Sequence, residues 1–219
     1  METRQNYVIT VGRQFGSGGR ELGRRLAETF GIEFYDKRLL LEAAKHAGMD
    51  VAFFERSDEK FPRFVSGTMA FNMAYNPMPW YTSSSISDES LYHDMATMMM
   101  RLVERGPCVI VGRSADYILR SAHVPVVNLF IHAPLDECAR RIVARGDAPD
   151  MGKARQLAEK TNRLRANFYN FYTDKHWGEA PTYDLCFDSS TLSVDDQVAM
   201  VAEYIRRRFG IDPLAGALQ

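Results

Sequence analysis

The most informative segment of this chain is Gly12-Arg13-Gln14-Phe15-Gly16-Ser17-Gly18-Gly19. It follows the β-branched run 7–11, which predicts a buried strand, and it precedes apolar residues that recur at helical spacing. Glycines between a strand and a helix let backbone N–H groups converge on an anion, and the helix N-terminus adds a favourable dipole. An ordinary strand-to-helix turn needs one glycine. This glycine-rich loop (residues 12–19) therefore predicts phosphate binding rather than a merely structural turn, and the residues we expect at the phosphates are Arg13, Gly16, Ser17, Gly18, Gly19, Arg20 and Glu21.

The loop departs from the P-loop pattern G-x4-G-K-[ST]. Gly19 stands where the lysine belongs, and Arg20 and Glu21 follow where a hydroxyl residue would touch magnesium. The interval from Gly12 to Gly18 is also one residue longer than in the pattern. Because the lysine supplies positive charge at the β- and γ-phosphates, we expect Arg20 or Arg13 to supply that charge through a bidentate fork. Glu21 either reaches a metal or a substrate hydroxyl, or it is a favourable acid in the first helical turn.

The amino-acid composition and net charge of the chain exclude several classes of function. The chain has 219 residues, of which 46% are apolar and 25% are charged, and this predicts a single globular domain. The net charge of −1 argues against a general duplex-DNA binder. The three cysteines have no zinc-like spacing and sit among apolar residues, so we expect buried thiols in a reducing, cytoplasmic setting. No apolar run is long enough for a membrane helix.

Strand and helix patterns alternate along the chain, which predicts a parallel sheet in a three-layer α/β/α domain. The predicted strands are 7–11, 32–35, 108–111, 126–131 and 183–187. The predicted helices are 22–30, 36–47, 87–105, 134–144, 153–172 and 194–209. The methionine stripe in 95–99 is interpreted as core rather than as a ligand set. Residues 50–87 mix aromatics with Pro and Ser clusters and are either an excursion that covers a cleft or a floppy surface loop.

Ligands of such sheets bind beyond the carboxyl ends of the strands, so the residues after each strand are the candidates for chemistry. Asp36 follows the second predicted strand and is either a helix N-cap or a ligand-facing carboxylate. Arg113 follows the third strand and points toward the expected crevice, unless it forms an ion pair with Asp116 one helical turn later. The histidines show no metal-like spacing, and no metal ligands are assigned.

Four pieces of the chain carry a resemblance to a known family. They are Phe15-Gly16-Ser17-Gly18-Gly19-Arg20-Glu21, Phe34-Tyr35-Asp36-Lys37, Ile110-Val111-Gly112-Arg113-Ser114-Ala115-Asp116-Tyr117, and Trp177 with Tyr183-Asp184-Leu185. In this order they resemble the cytidylate kinase-like family, a divergent branch of P-loop nucleoside monophosphate kinases, over residues 7–208. The resemblance implies a P-loop kinase fold with a five-stranded sheet, an acceptor-side excursion at 50–87 and a lid at about 145–178. It also implies transfer of the ATP γ-phosphoryl, with Mg²⁺, to a nucleoside monophosphate such as CMP or dCMP.

The resemblance further implies roles for individual residues. Arg113 would grip the acceptor phosphate, with Asp36 and Asp116 on the acceptor side, whereas Val111 stands where related enzymes carry an acid. A lid helix would bring cations over the transferring group, and Arg163 and then Lys160 are the expected residues, with Arg155 and Arg165 on other faces. A solvated charged face is the alternative for this helix, and Arg140, Arg141 and the run 206–208 are also expected to be solvated. The rival functions are phosphotransfer to another small acceptor, nucleotide binding without catalysis and, more weakly, a structural partner protein whose loop binds only stray anions.

Overall fold

The computed structural model of the protein describes residues 7–40 and 84–215. Within them, five strands form one parallel sheet in the order β2-β3-β1-β4-β5. The strands are β1 (Val8–Arg13), β2 (Glu33–Tyr35), β3 (Cys108–Val111), β4 (Val126–His132) and β5 (Leu185–Asp188). The predicted five-stranded parallel sheet is confirmed. The predicted excursion lies outside the described residues except for 84–87, which are helical.

Helices cover both faces of the sheet. They are α1 (Gly19–Phe30), α2 (Ser84–Glu104), α3 (Ala115–Ser121), α4 (Leu135–Ala144), α5 (Met151–Thr173) and α6 (Val194–Phe209), with a short 3₁₀ turn at Ala180–Thr182. Residues 37–40 are also helical, and the rest of the predicted helix 36–47 lies outside the described residues. None of the described helices is both long and apolar enough to cross a membrane.

The pleat of the strands divides the core into two layers. Ile9 and Val11 of β1 pack with α1 and α6 on one face, whereas Val8 packs with α2 and α3 on the other. Met95, Met98 and Met99 of α2 are buried in the second layer, which confirms the interpretation of the methionine stripe as core. A central strand buried on both faces needs a continuous apolar run, and β3 has one over its whole length.

The prediction that all three cysteines are buried is wrong for one of them. Cys108 and Cys138 are buried, but Cys186 is exposed. Cys186 lies on β5, the edge strand of the sheet, where the neighbouring Phe187 takes the core-facing position. Because side chains alternate along a strand, the thiol faces away from the α1/α6 layer.

Asp184 joins three elements beside β5. Its Oδ2 accepts hydrogen bonds from the Arg120 side chain at 2.8 Å and from the Asn128 backbone N–H at 2.7 Å. Its Oδ1 lies 3.0 Å from Arg208 Nη1 of α6. This motif residue is therefore a structural junction between β4, α3 and α6.

An Asp184→Ala variant is expected to lose about 2–4 kcal/mol of unfolding free energy. The substitution leaves the Asn128 N–H and two partly buried guanidinium groups without their shared acceptor. Urea unfolding of the variant measures the loss. Asp195→Ala is the matched control, because Asp195 pairs with Arg25 at the exposed surface and such pairs contribute less than about 1 kcal/mol. Equal losses for the two variants would contradict the junction role.

Candidate active site

A cleft opens where β1 and β3 end. Its described lining comes from the ends of β1 and β3, the start of α3, Asn128 of β4, the second half of α5, and Trp177 and Tyr183. Three arginines and one aspartate supply its charged side chains: Arg13, Arg113, Arg165 and Asp116. The position agrees with the rule for ligand sites in parallel sheets, and the excess of positive charge suits an anionic ligand.

The glycine-rich loop has the shape of an anion cradle. Gly16 and Gly18 adopt positive φ angles of 86° and 83°. The loop then enters α1 at Gly19, and the N–H groups of a first helical turn have no partner inside the helix. Ser17 is fully buried and its Oγ donates to the Gln14 carbonyl at 2.9 Å, so this side chain holds the loop together.

Arg141 of α4 supports the loop from the side. Its Nη1 donates to the Ser17 carbonyl at 3.0 Å and to Ser189 Oγ at 2.9 Å, and its Nε bonds to Glu137. Ser189 Oγ also donates to the Ser17 carbonyl at 2.6 Å. The prediction that Arg141 belongs to a solvated face is therefore wrong. Its neighbour Arg140 is exposed, as predicted, and pairs with Glu137.

Helix α5 is fastened to the loop at several points. The backbone N–H of Phe15 donates to Asn162 Oδ1 at 2.7 Å, and Arg165 Nη1 donates to the Arg13 carbonyl at 3.0 Å. Two guanidinium groups stack on the Phe15 ring. The Cζ atoms of Arg145 and Arg165 lie 5.4 Å and 5.6 Å from the ring centroid. These contacts hold Arg165 between the loop and the cleft.

The opposite wall of the cleft has an unusual backbone. Gly112, Arg113 and Ser114 are consecutive residues with φ angles of 82°, 67° and 51°. The left-handed conformation costs an arginine or a serine about 1–2 kcal/mol each, and such conformations cluster at binding sites. Arg113 Nη2 is buried here, and Ser114 Oγ is buried with no hydrogen-bond partner among the described residues. The strained turn thus places Arg113 and Ser114 in the wall of the cleft.

A buried polar network forms the floor of the cleft. Asp116 Oδ2 accepts hydrogen bonds from Tyr169 Oη at 2.6 Å and from Asn128 Nδ2 at 3.0 Å. Asn128 Oδ1 in turn accepts from Thr10 Oγ1 at 2.8 Å. Asp116 therefore belongs to this network and does not form the ion pair with Arg113 that was the alternative expected from the sequence. Burial raises the pKa of Asp116 above its usual value, and the Tyr169 bond opposes this increase.

The raised pKa of Asp116 predicts a pH-dependent stability. The pKa of Asp116 is 3.8 in the unfolded chain and higher in the folded protein. At pH values between these two pKa values, the native state binds more protons than the unfolded state. The contribution of Asp116 to the free energy of unfolding therefore falls as pH rises through this window. An Asp116→Asn variant lacks that contribution, so its stability relative to the wild type should increase from pH 4 upward and then level off. Urea unfolding of both proteins at a series of pH values measures this relative stability. A relative stability of the variant that decreases as pH rises would contradict the raised pKa of Asp116.

Several residues predicted for the site lie elsewhere. Arg20 Nη2 forms an ion pair with Asp36 Oδ2 at 2.6 Å. The Arg20 side chain is 55% exposed and does not line the cleft. Asp36 is the predicted N-cap, because its Oδ1 accepts from the Leu39 N–H at 3.0 Å. Burial favours a higher pKa for Asp36, but the bonds from Leu39 and Arg20 outweigh it and hold the pKa below the usual value. Lys160 and Arg163 are exposed on α5, and neither lines the cleft.

The described residues do not form a metal-binding cluster of their own. No group of three His, Cys, Asp or Glu side chains comes together in residues 7–40 and 84–215. Glu21 is exposed in the first turn of α1. Arg20, at the position of the P-loop hydroxyl, cannot ligate a cation.

Sequence reasoning missed the polar floor and the arginine on α5. Asn128 interrupts the apolar run of β4, and a polar residue inside a buried strand was the available signal. For α5, the buried residues Ala154, Ala158 and Tyr169 mark the inward face. Asn162 and Arg165 continue that face at helical spacing, whereas Lys160 and Arg163 do not.

Comparison with known proteins agrees with this geometry. A cytidylate kinase from Methanopyrus kandleri is 25% identical over 221 residues, which cover 95% of this chain and 95% of that protein. The crystal structure of an uncharacterized protein from Eubacterium ventriosum superposes with a TM-score of 0.68 at 26% identity, covering 92% of this chain and 99% of that chain. Shikimate kinase from Acinetobacter baumannii, in complex with shikimate, shares the fold with a TM-score of 0.50 at 14% identity, covering 93% and 94% of the two chains.

The chain therefore shares its fold with a P-loop kinase, shikimate kinase. The sequence profile of the cytidylate kinase-like family matches residues 8–191, which include all five strands and the whole cleft described above. The chain therefore belongs to the cytidylate kinase-like family.

Proposed function

We propose that this protein is a nucleotide kinase that transfers the γ-phosphoryl group of Mg-ATP to a pyrimidine nucleoside monophosphate, CMP or dCMP. Family membership and the P-loop kinase fold support the nucleotide kinase class. The observation that carries the proposal is the convergence of three arginines from β1, α5 and the turn after β3 on one cleft beside the glycine-rich loop. Phosphoryl transfer needs this arrangement, because its catalysis is mainly positioning and stabilisation of phosphate charge.

The donor nucleotide belongs at the loop. The N–H groups that begin α1 and the positive-φ glycines suit the β-phosphate. Arg165 lies between the loop and the cleft, where a guanidinium stabilises charge on the transferring group. The contacts of Phe15 with Asn162 and Arg165 hold α5, the proposed lid helix, against the loop.

The acceptor belongs at the turn after β3. Arg113 and Ser114 line the cleft there, and their side chains carry donors suited to the acceptor phosphate. Asp116 lines the same cleft, and a carboxylate accepts from the 4-amino group of cytosine, whereas uracil offers a carbonyl at that position. The Methanopyrus relative is a cytidylate kinase, which supports a cytidine acceptor.

In the proposed reaction, an oxygen of the acceptor phosphate forms a bond to the γ-phosphorus. The bond from that phosphorus to the β–γ bridging oxygen breaks, and ADP leaves with the electron pair. The arginines stay protonated throughout, because the guanidinium pKa lies far above neutral pH. Their contribution is to bind the reacting oxygens in line and to neutralise the charge spread over the transferring group.

An acceptor panel tests this function. ADP formation from Mg-ATP is measured with CMP, dCMP, UMP, AMP, shikimate and gluconate. We expect kcat/KM for CMP or dCMP to exceed that for the other acceptors by at least about tenfold. Preference for a non-nucleotide would support the rival acceptor class. ATP binding without turnover on any of them would support a nucleotide-binding module and contradict the kinase.

Arg113→Ala is expected to raise KM for the nucleoside monophosphate by about 10- to 100-fold while KM for ATP changes less than threefold. The variant removes a charged donor at the acceptor side of the cleft and leaves the loop intact. Initial rates at varied acceptor and at varied ATP separate the two constants. Arg25→Ala is the control, because Arg25 pairs with Asp195 on the exposed side of α1. An increase confined to the KM for ATP would contradict the acceptor role.

A further inference from the structure

The loop exchanges two residues relative to the P-loop pattern. In G-x4-G-K-[ST], the first glycine comes six residues before the lysine. With Gly18 as the second glycine, the lysine position is 19 and the first glycine position is 13. This chain has Gly19 at the lysine position and Arg13 at the glycine position. The charged residue and the glycine have changed places.

The structure gives a steric reason for this exchange. A Cβ added at Gly19 would lie 2.5 Å from Arg13 Cβ, 3.2 Å from Arg13 Cγ and 3.1 Å from Ile131 Cβ. Real Cβ atoms do not approach within 3.0 Å, and these neighbours are side-chain stems rather than flexible ends. Only one of positions 13 and 19 can therefore carry a side chain, and the stem of Arg13 fills the space where a lysine at 19 would begin.

The charged end of Arg13 lies in the cleft. A Cβ added at Gly112 would collide with Arg13 Nη1, so the guanidinium passes over the end of β3 from the end of β1. Arg13 and Gly112 both line the cleft, and the Arg13 carbonyl is held by Arg165. The half-buried side chain thus places a permanent positive charge between the loop and the acceptor wall.

Arg20 has a different environment. It follows the lysine position, but its guanidinium is paired with Asp36 through Nη2 at 2.6 Å and Nε at 2.8 Å. This pair lies beside α1 and β2, outside the cleft lining. Of these two arginines, the one that lines the cleft therefore lies on β1 rather than on α1.

We propose that Arg13 replaces the P-loop lysine: its guanidinium binds the β- and γ-phosphates of the donor nucleotide and stabilises the charge of the transferring phosphoryl group. The inference deepens the proposed kinase function and rests on it for the phosphoryl-transfer step. It also makes a prediction that an ordinary surface arginine does not, namely that positions 13 and 19 are coupled.

The test uses calorimetric titration with Mg-ATP on the full chain, together with turnover on CMP. Arg13→Met keeps an unbranched stem and removes the charge, so we expect the ATP affinity to fall about 10- to 100-fold and kcat to fall about 100-fold or more. Arg13→Lys retains the charge and should bind ATP within about tenfold of the wild type. Arg20→Ala should change ATP affinity less than about threefold.

Exchange variants test the coupling directly. Arg13→Gly and Gly19→Lys should each weaken ATP binding at least tenfold, the first by loss of charge and the second by collision with the Arg13 stem. The double variant R13G/G19K restores the G-x4-G-K part of the pattern and removes the Arg13 stem, so it should bind ATP at least tenfold more tightly than either single variant. Circular dichroism and thermal melting show that each variant is folded, and Arg13→Met provides the result if Arg13→Gly is not.

The outcomes separate the two proposals. ATP affinity for Arg13→Met within threefold of the wild type, or a double variant no tighter than the weaker single variant, would overturn the role of Arg13 even if CMP is phosphorylated. If the wild type binds ATP but does not phosphorylate CMP, the affinity pattern across the variants still decides the role of Arg13. A wild type that does not bind Mg-ATP would overturn both proposals.

Discussion

A Gly16→Ala variant is expected to lose at least about 100-fold in Mg-ATP affinity and about 2–5 kcal/mol of unfolding free energy. Gly16 has a φ of 86°, which costs an alanine about 1–2 kcal/mol. Its added Cβ would also lie 2.6 Å from the Cys138 carbonyl oxygen and 3.0 Å from the Cys138 Cα, an overpacking that typically costs about 1–3 kcal/mol. Because these neighbours are backbone atoms at the start of α4, the loop itself must move.

Movement of the loop is what removes ATP binding. The N–H groups of a phosphate cradle act through their convergence on one anion, and a misplacement of about 1 Å costs about 100-fold in such sites. Gly210→Ala is the matched control, since Gly210 has a φ of 67° and nothing lies within 4 Å of its added Cβ. The control should lose stability without a change in ATP affinity. Equal ATP affinities for the two variants would contradict the assignment of the loop as the phosphate site.

Arg165→Ala is expected to lower kcat for phosphoryl transfer by about 100- to 1,000-fold, with a smaller effect on ATP affinity. Removal of one preorganised donor from a transition-state site has this magnitude. Arg165 lines the cleft, donates to the Arg13 carbonyl and stacks on Phe15, so its loss also loosens α5 from the loop. Initial rates at saturating Mg-ATP and CMP measure the effect.

Two further arginines on α5 make this prediction specific. Arg155→Ala is the matched control, because Arg155 pairs with Asp136 at the exposed surface, and its kcat should stay within threefold of the wild type. Arg163→Ala tests the residue that the sequence pattern favoured, and its exposed position predicts a far smaller loss than that of Arg165→Ala. A larger loss at Arg163 than at Arg165 would contradict the placement of the lid arginine.

The sheet was predictable from the sequence because its strands are short apolar runs bounded by glycine, proline or charged residues. The boundaries of β3 agree with prediction, since a strand buried on both faces must be apolar throughout. Helix α3 was missed because seven residues after a strained turn are too few to show a hydrophobic period. Cys186 was misplaced because exposure on an edge strand depends on which strands pair, and a single strand does not reveal its partners.

The position of the cleft was predictable from the sequence, because strand ends locate the crevice of a parallel sheet, and Arg13 and Arg113 line it. Most of the side-chain contacts around the cleft were not predictable. Arg141 looked solvated because it lies beside Arg140 on a charged helix, yet it contacts the Ser17 carbonyl of a loop 124 residues away. The choice between Arg163 and Arg165 depended on the rotation of α5, which is set by contacts of Asn162 and Tyr169 with distant residues.

Phosphorus NMR of the wild-type protein with Mg-ATP and CMP follows the proposed phosphoryl transfer from ATP to a cytidine nucleotide. We predict that CDP and ADP appear in equal amounts and that both signals are absent when CMP is omitted. With ATP that carries an isotopic label in its γ-phosphoryl group, the label should appear in the β-phosphate of CDP. Release of inorganic phosphate without CDP, or unchanged ATP in the presence of a protein that binds it, would contradict the claim.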